Sequence, residues 1–184
     1  MKQPLILASA SPRRRELLAT LGLCFEVVKP NVDERLFEGE APEQFVERLA
    51  KAKADAIFPT DAMVIAADTI VVLEDHILGK PTDSEDARRM LRALSGKSHR
   101  VITGVCVQNS TRSIVFSLST MVTFRALAEE EILMYVESGE PLDKAGAYAI
   151  QGYAASMVVR IEGSYTNVIG LPLCEIYKTL ISFD

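Results

Sequence analysis

Three features of the chain have residue types and spacing suited to phosphate chemistry. The first is "LASASPRRREL", residues 7–17, where Ser9, Ser11, Arg13, Arg14 and Arg15 crowd the start of a helix. Ser11 fits an N-cap and Pro12 the first helical position. The arginines then stand at the positive end of the helix dipole, where each cation is unfavourable by roughly 0.3–1 kcal/mol. A bound anion reverses that cost, because free backbone N–H groups, two hydroxyls and guanidinium forks all donate to phosphate. Taken alone, the stretch reads as well as a solvated basic turn, and it lacks the glycine fingerprint of a Walker or Rossmann loop.

The second feature is Asp68 within "MVIAADTIVVL". A carboxylate in so apolar a run costs several kcal/mol unless a cation or metal pairs with it. That makes it a candidate metal ligand or general base, set against a strand-end aspartate satisfied by backbone N–H groups. The third is a scattered set: Glu34 in "NVDERLF", Lys53 in "LAKAKA" and Lys80 in "LGKP". Singly each reads as a solvated charge. With Asp68 they supply carboxylates for a divalent ion and cations for oxyanions, the inventory of phosphoryl transfer. Gln151, at the end of "DKAGAYAIQG", carries an amide that can read a base edge, although a turn-flanked strand accounts for the segment too. His76 reads as a solvated turn residue and His99 as a structural hydrogen-bond partner; no Ser/His/Asp order points to acyl transfer.

These residues must be positioned by an alternation of short strands and helices. "PLILAS" followed by the capped helix is a strand–loop–helix start, and "CFEVVKP" a second strand. "APEQFVERLAKAKADAIF" places Phe45, Leu49, Ala52 and Ala56 on one helical face. "MVIAADTIVVL" reads as a central strand that turns through "EDHI" into a hairpin. "TDSEDARRMLRALSG" is a helix with acidic capping residues, a stop at Gly96, and Leu91 and Leu94 inward. "HRVITGVCVQN" and "SIVFSLSTMVTFRAL" form a hairpin across "NSTR". "AEEEILMYVESGEP" is a helix, "AYAIQG" and "SMVVRIEG" short strands, and "LPLCEIYKTLISF" a closing helix. Hairpins interrupting the alternation predict an α/β domain with a mixed sheet.

The 184 residues are 48% hydrophobic with a formal net charge of -5, enough for one cored domain and too acidic for nonspecific nucleic-acid binding. No apolar run has membrane length and "MKQPLILASASPRRR" lacks a signal-peptide core. Cys24, Cys106 and Cys174 sit singly in apolar segments, a pattern expected of buried thiols in a reducing cytoplasm.

In order along nearly the whole chain, "SASPRR", "VDE", "AADT", "LGKP", "SGKSHRVITGV", "DKAGAYAIQG" and "GSYTNVIGLP" resemble the Maf nucleotide pyrophosphatases. Seven ordered motifs are specific where any one would be weak. The resemblance implies a single domain over 1–184, with an elongated mixed sheet, flanking helices and two lobes around a cleft, similar to inosine-triphosphate pyrophosphatases. It implies hydrolysis of a nucleoside triphosphate to monophosphate and pyrophosphate with a divalent metal cation, magnesium or manganese, held by Asp68 with Glu34. Asp68 would be the general base at the α-phosphorus. Ser9, Ser11, Arg13, Arg14, Lys53 and Lys80 would bind phosphate. Arg13, Thr69 and Gln151 match the dTTP/UTP branch, whereas the 7-methyl-GTP branch has Ser-Asp-Gln in place of Ala67-Asp68-Thr69 and Glu in place of Gln151. Ala10, where many relatives have Gly, is the one small departure. A homodimer is what the resemblance suggests. The competing expectation is a nucleotide-binding regulator of septum formation with slow or vestigial hydrolysis.

Overall fold

The computed structural model describes residues 3–57 and 61–183. The strands are β1 (Leu5–Ala8), β2 (Glu26–Val28), β3 (Met63–Leu73), β4 (His76–Leu78), β5 (Ser98–Gln108), β6 (Ser113–Phe124) and β7 (Val158–Glu162). The helices are α1 (Pro12–Ala19), α2 (Pro42–Asp55), α3 (Ser84–Leu94), α4 (Glu129–Glu137), α5 (Tyr165–Ile169) and α6 (Leu173–Ile181). The strands pair in the order β2-β1-β3-β5-β6-β7, with β4 beside β3. β1 runs parallel to β2 and β3, while β3–β4 and β6–β7 are antiparallel, so the sheet is mixed as the interrupted alternation predicts. Among the described residues, no helix is long and apolar enough to cross a membrane.

The chain divides into two compact units. The first comprises Met1–Thr69, Thr103–Leu118 and Gly170–Asp184, the second Ile70–Ile102 and Ser119–Ile169; β3, β5 and β6 each contribute residues to both. In the first unit a small-residue cluster of Ala8, Ala50, Ala54, Val64, Ala66 and Cys106 lets α2 lie close on the strands. The closest approach is at Gly104 on β5, where an added Cβ would stand 2.3 Å from the carbonyl carbon and oxygen of Val46. Only glycine leaves room there. In the second unit α3 packs on α4, burying Leu91, Leu94, Ile132 and Tyr135. Beside them His99, Phe124 and Tyr148 meet edge-on, with ring centroids 4.8–5.4 Å apart.

Four details depart from the sequence reading. The segment "AYAIQG" is no strand: it belongs to a chain of 3-10 turns over Glu140–Asp143, Ala145–Ala147 and Tyr153–Met157. Gly146 and Ala147 both have left-handed backbone (φ 68° and 59°), which no strand tolerates. "SYTNVIG" hides the short α5, too brief for a periodic signal. Cys24 and Cys174 are exposed, and only Cys106 is buried, because the first two fall on the solvent side of their segments. Ala56 caps α2 and is exposed, while Val46, Ala50, Lys53 and Ala54 join Phe45 and Leu49 on its buried face.

Candidate active site

Along β3 every residue is buried except Asp68 and Thr69, which are partly open. The parallel register pairs Ala8 with Ala66, so β1 ends just before that polar pair, beside its own Ser9–Ser11 loop. The carboxyl end of a central parallel strand is where α/β sheets present reactive groups. Successive side chains alternate across a sheet, so Asp68 and Thr69 face opposite ways.

Asp68 faces α2. Lys53 is 7% exposed, and its ammonium stands 2.5 Å from Asp68 Oδ1 and 2.7 Å from Glu34 Oε1. The sequence reads a helix lysine as solvated; the tight seating of α2 at Gly104 instead turns Lys53 inward, two turns beyond Val46 on the same face. Glu34 arrives on an irregular segment that Arg48 straps to α2. The Arg48 guanidinium donates to both Glu40 oxygens (2.6 and 2.7 Å) and to the Arg35 carbonyl (2.9 Å), and lies 3.9 Å over the Phe37 ring. Those hydrogen bonds hold the Glu40 carboxyl below its ordinary range. Arg48 escapes a sequence reading because its partners are eight and thirteen residues away with no short pattern joining them.

Thr69 faces the other way, toward Arg14. Ser11 caps α1 as expected, its Oγ accepting from the Arg14 N–H at 3.4 Å, while Ser9 Oγ accepts from the Ser11 N–H at 3.1 Å. The Arg14 guanidinium is turned into the protein. Its Nε donates to the Gly170 carbonyl (2.8 Å), Nη1 to the Ala67 carbonyl (2.8 Å) and weakly to Ser9 Oγ (3.5 Å), and Nη2 to Thr69 Oγ1 (3.0 Å). The Thr69 hydroxyl also pairs with Thr103 at 3.0 Å. Gly170 has φ 115°, and a Cβ on it would press to 3.2 Å from Thr69 Oγ1 and 3.5 Å from Arg14 Nε. Desolvation lowers the Arg14 pKa, with Asp68 and Glu34 opposing the shift and Arg13 adding to it. Arg13 is half-buried beside it on α1.

Lys80 and Gln151 belong to the second unit and are both exposed. Gly79 accepts from the Gly146 N–H at 3.0 Å, which ties the Lys80 loop to the segment bearing Gln151. That segment has two further anchors. His99 Nε2 meets the Tyr148 hydroxyl at 2.8 Å, and the Tyr135 hydroxyl accepts from the Ala149 N–H (3.1 Å) while donating to Glu140 (2.9 Å). Burial pushes His99 down to about 4 and raises the Tyr148 hydroxyl, so both are neutral. His99 is thus the structural histidine expected; His76 is exposed as expected but opens strand β4, paired with Leu73, and is not in the turn.

The structure therefore gathers Asp68, Glu34, Lys53, Arg14, Thr69 and Ser9 in the first unit. Among the described residues no three His, Cys, Asp or Glu side chains cluster as a metal cage. Asp68 and Glu34 do offer oxygens to one cation, at present the Lys53 ammonium. Two carboxylates, with water and substrate phosphate completing the shell, fit the way magnesium is bound in phosphoryl-transfer sites.

The model of the "Maf-like protein" family matches residues 4–183. A protein of Geotalea uraniireducens named dTTP/UTP pyrophosphatase is 55% identical over 183 residues, covering 97% of this chain and 94% of that protein. Its namesake in Vibrio cholerae is 52% identical, covering 97% of both. Among solved structures the Ham1 protein of Staphylococcus aureus is similar with a TM-score of 0.54 at 14% identity, over 99% of this chain and 100% of that one. At that identity the likeness concerns the fold alone.

Proposed function

Because the chain belongs to the Maf-like protein family, we propose that it hydrolyses dTTP and UTP to the nucleoside monophosphate and pyrophosphate. Relatives bearing that activity in their names, at 55% and 52% identity over nearly full length, support the substrate choice. The observation that carries the chemistry is the buried Lys53 ammonium bridging Asp68 and Glu34 at the partly open middle of β3.

In this reading Asp68 takes a proton from a water as its oxygen bonds to the α-phosphorus, and the bond to the bridging oxygen breaks. The electron pair leaves with pyrophosphate, whose charge Arg13 and Lys53 neutralise. Ser9 and Ser11 donate hydroxyls to phosphate oxygens. Asp68 and Glu34 would hold a magnesium or manganese ion, which would supply Lewis acidity and make the attacking water more acidic. Lys80 and Gln151 enter on residue chemistry and motif likeness, Lys80 as a phosphate-neutralising cation and Gln151 as an amide reading a pyrimidine edge. The Thr69 hydroxyl already has two protein partners, which favours an indirect part in base choice. The reading takes 1–184 as one functional domain, working in the cytoplasm, where three free thiols are stable.

The test is pyrophosphate release with magnesium across the common triphosphates and 7-methyl-GTP. dTTP and UTP should exceed ATP and GTP, and Asp68→Asn should lose at least about 10²-fold in turnover with its fold intact. Orthophosphate as the product, or near-normal turnover in Asp68→Asn, refutes the proposal. Nucleotide binding without release would identify a regulator instead.

A further inference from the structure

We propose that Arg14 and Thr69 form a positioning pair that fixes the backbone on both sides of Asp68, and that Arg14 is not part of the phosphate-binding surface; the inference rests on Asp68 being the catalytic carboxylate. Arg14 reaches the residues immediately before and after Asp68, through the Ala67 carbonyl and the Thr69 hydroxyl. Because side chains alternate along β3, Thr69 is held from the face opposite to the one where the Asp68 carboxylate meets Lys53. Asp68 is therefore gripped twice: its carboxylate from α2, its backbone from α1.

The guanidinium has five N–H donors, and four are engaged, by acceptors on three separate stretches of chain. A planar fork suits that task, whereas a lysine has one compact charge and no fixed fork. To grip phosphate with these donors, Arg14 would have to abandon the Ala67 and Gly170 carbonyls, each 2.8 Å away, and strand two carbonyl acceptors in an enclosed site. The backbone is shaped around the guanidinium as well. Gly170 takes φ 115°, and the space its Cβ would fill is bounded by Thr69 Oγ1 and Arg14 Nε. Thr103 holds the Thr69 hydroxyl from the neighbouring strand. Arg13, on the same turn of α1, is left as the phosphate-binding arginine.

The experiment compares Arg14→Lys, Thr69→Val, Thr69→Ser and the Arg14→Lys/Thr69→Val double variant, measuring kcat and KM for dTTP, with the melting-temperature rise on adding dTTP and magnesium as a readout of binding. Positioning predicts that Arg14→Lys lowers kcat by roughly tenfold or more while KM and the nucleotide-induced rise stay near the unmodified values. Thr69→Val should give the same signature with dTTP, Thr69→Ser should restore turnover, and the double variant should be little worse than the worse single one. If Arg14→Lys does not fold, the near-isosteric Thr69→Val and its rescue by serine decide the matter. A KM rise of roughly tenfold with kcat retained, or single losses that multiply in the double variant, overturns the proposal. Failure of the underlying reading looks different: the unmodified chain then releases no pyrophosphate, or Asp68→Asn keeps its turnover, and the proposal falls with it.

Discussion

Replacing Lys53 by methionine tests whether the carboxylate pair depends on the buried ammonium. Asp68 and Glu34 differ in how much of their charge is sheltered: their side chains are 13% and 55% exposed. At an effective dielectric constant of about 20, opposite charges about 4 Å apart attract by about 4 kcal/mol, offset by the cost of desolvating them. Removing one member of a buried pair costs about 3–5 kcal/mol, because a charge is left uncompensated. Asp68 retains a little water and Glu34 a good deal, so Lys53→Met should cost about 3 kcal/mol, nearly all through Asp68. For a chain of this length that is a fall in melting temperature of about 6–12 °C. The discriminating control is Lys53→Met/Asp68→Asn, in which the stranded charge is gone and most of the stability should return. Differential scanning calorimetry of the three proteins decides the matter. A single variant melting within about 2 °C of the unmodified chain, or a double variant no more stable than the single, would refute the assignment of Lys53 as the charge that makes Asp68 tolerable.

Arg13→Ala should lower kcat/KM by roughly tenfold, the usual loss for a charged hydrogen bond. Its melting temperature without nucleotide should hold or rise slightly as a cation leaves the positive end of α1; a large drop would make Arg13 structural. Gln151→Glu should erode the preference for dTTP and UTP over purine triphosphates, since an amide donor becomes an acceptor; an unchanged ranking would remove Gln151 from base choice. His99, held neutral at about 4 in the folded protein, takes up its proton near 6.5 once unfolded. Its contribution is therefore complete above about pH 6.5 and is lost as the pH falls toward 4, amounting to about 2 kcal/mol by pH 5. His99→Gln should flatten the melting temperature against pH over that window, and parallel curves would show that His99 does not drive it.

β3 was legible residue for residue, since ten apolar and β-branched positions interrupted by a single charge leave no other reading. That same interruption singled out Asp68 before its partners were known. The partners themselves were harder to see. Lys53 reads as an ordinary helix lysine because its burial comes from a glycine on a strand more than a quarter of the chain away. Arg14 looks like its neighbours Arg13 and Arg15 in the string; only the folding of β3 and of the chain's return at Gly170 around it gives its fork protein acceptors. The stretch from Glu140 to Met157 misleads for a backbone reason. Its apolar residues alternate plausibly for a strand, but left-handed φ at Gly146 and Ala147 turns them into successive 3-10 turns around the His99–Tyr148 contact.

Gly104 touches none of the reacting groups, yet it bears on how a mutational survey of this protein should be read. A single methyl at that position cannot share space with the Val46 backbone, so α2 must lift or tilt. Lys53 is seven residues further along the same rod, about 10 Å at 1.5 Å of rise per residue, and a small tilt at Val46 grows with that distance. Asp68 rides on β3 and would not travel with it. A screen scored by turnover alone would therefore group Gly104 variants with those of Asp68, although the lesion is a misaligned lever. Suppressors should then arise neither around Asp68 nor in the side chain of residue 46, since backbone atoms make the clash, but at other contacts of α2 that let the shifted helix seat again.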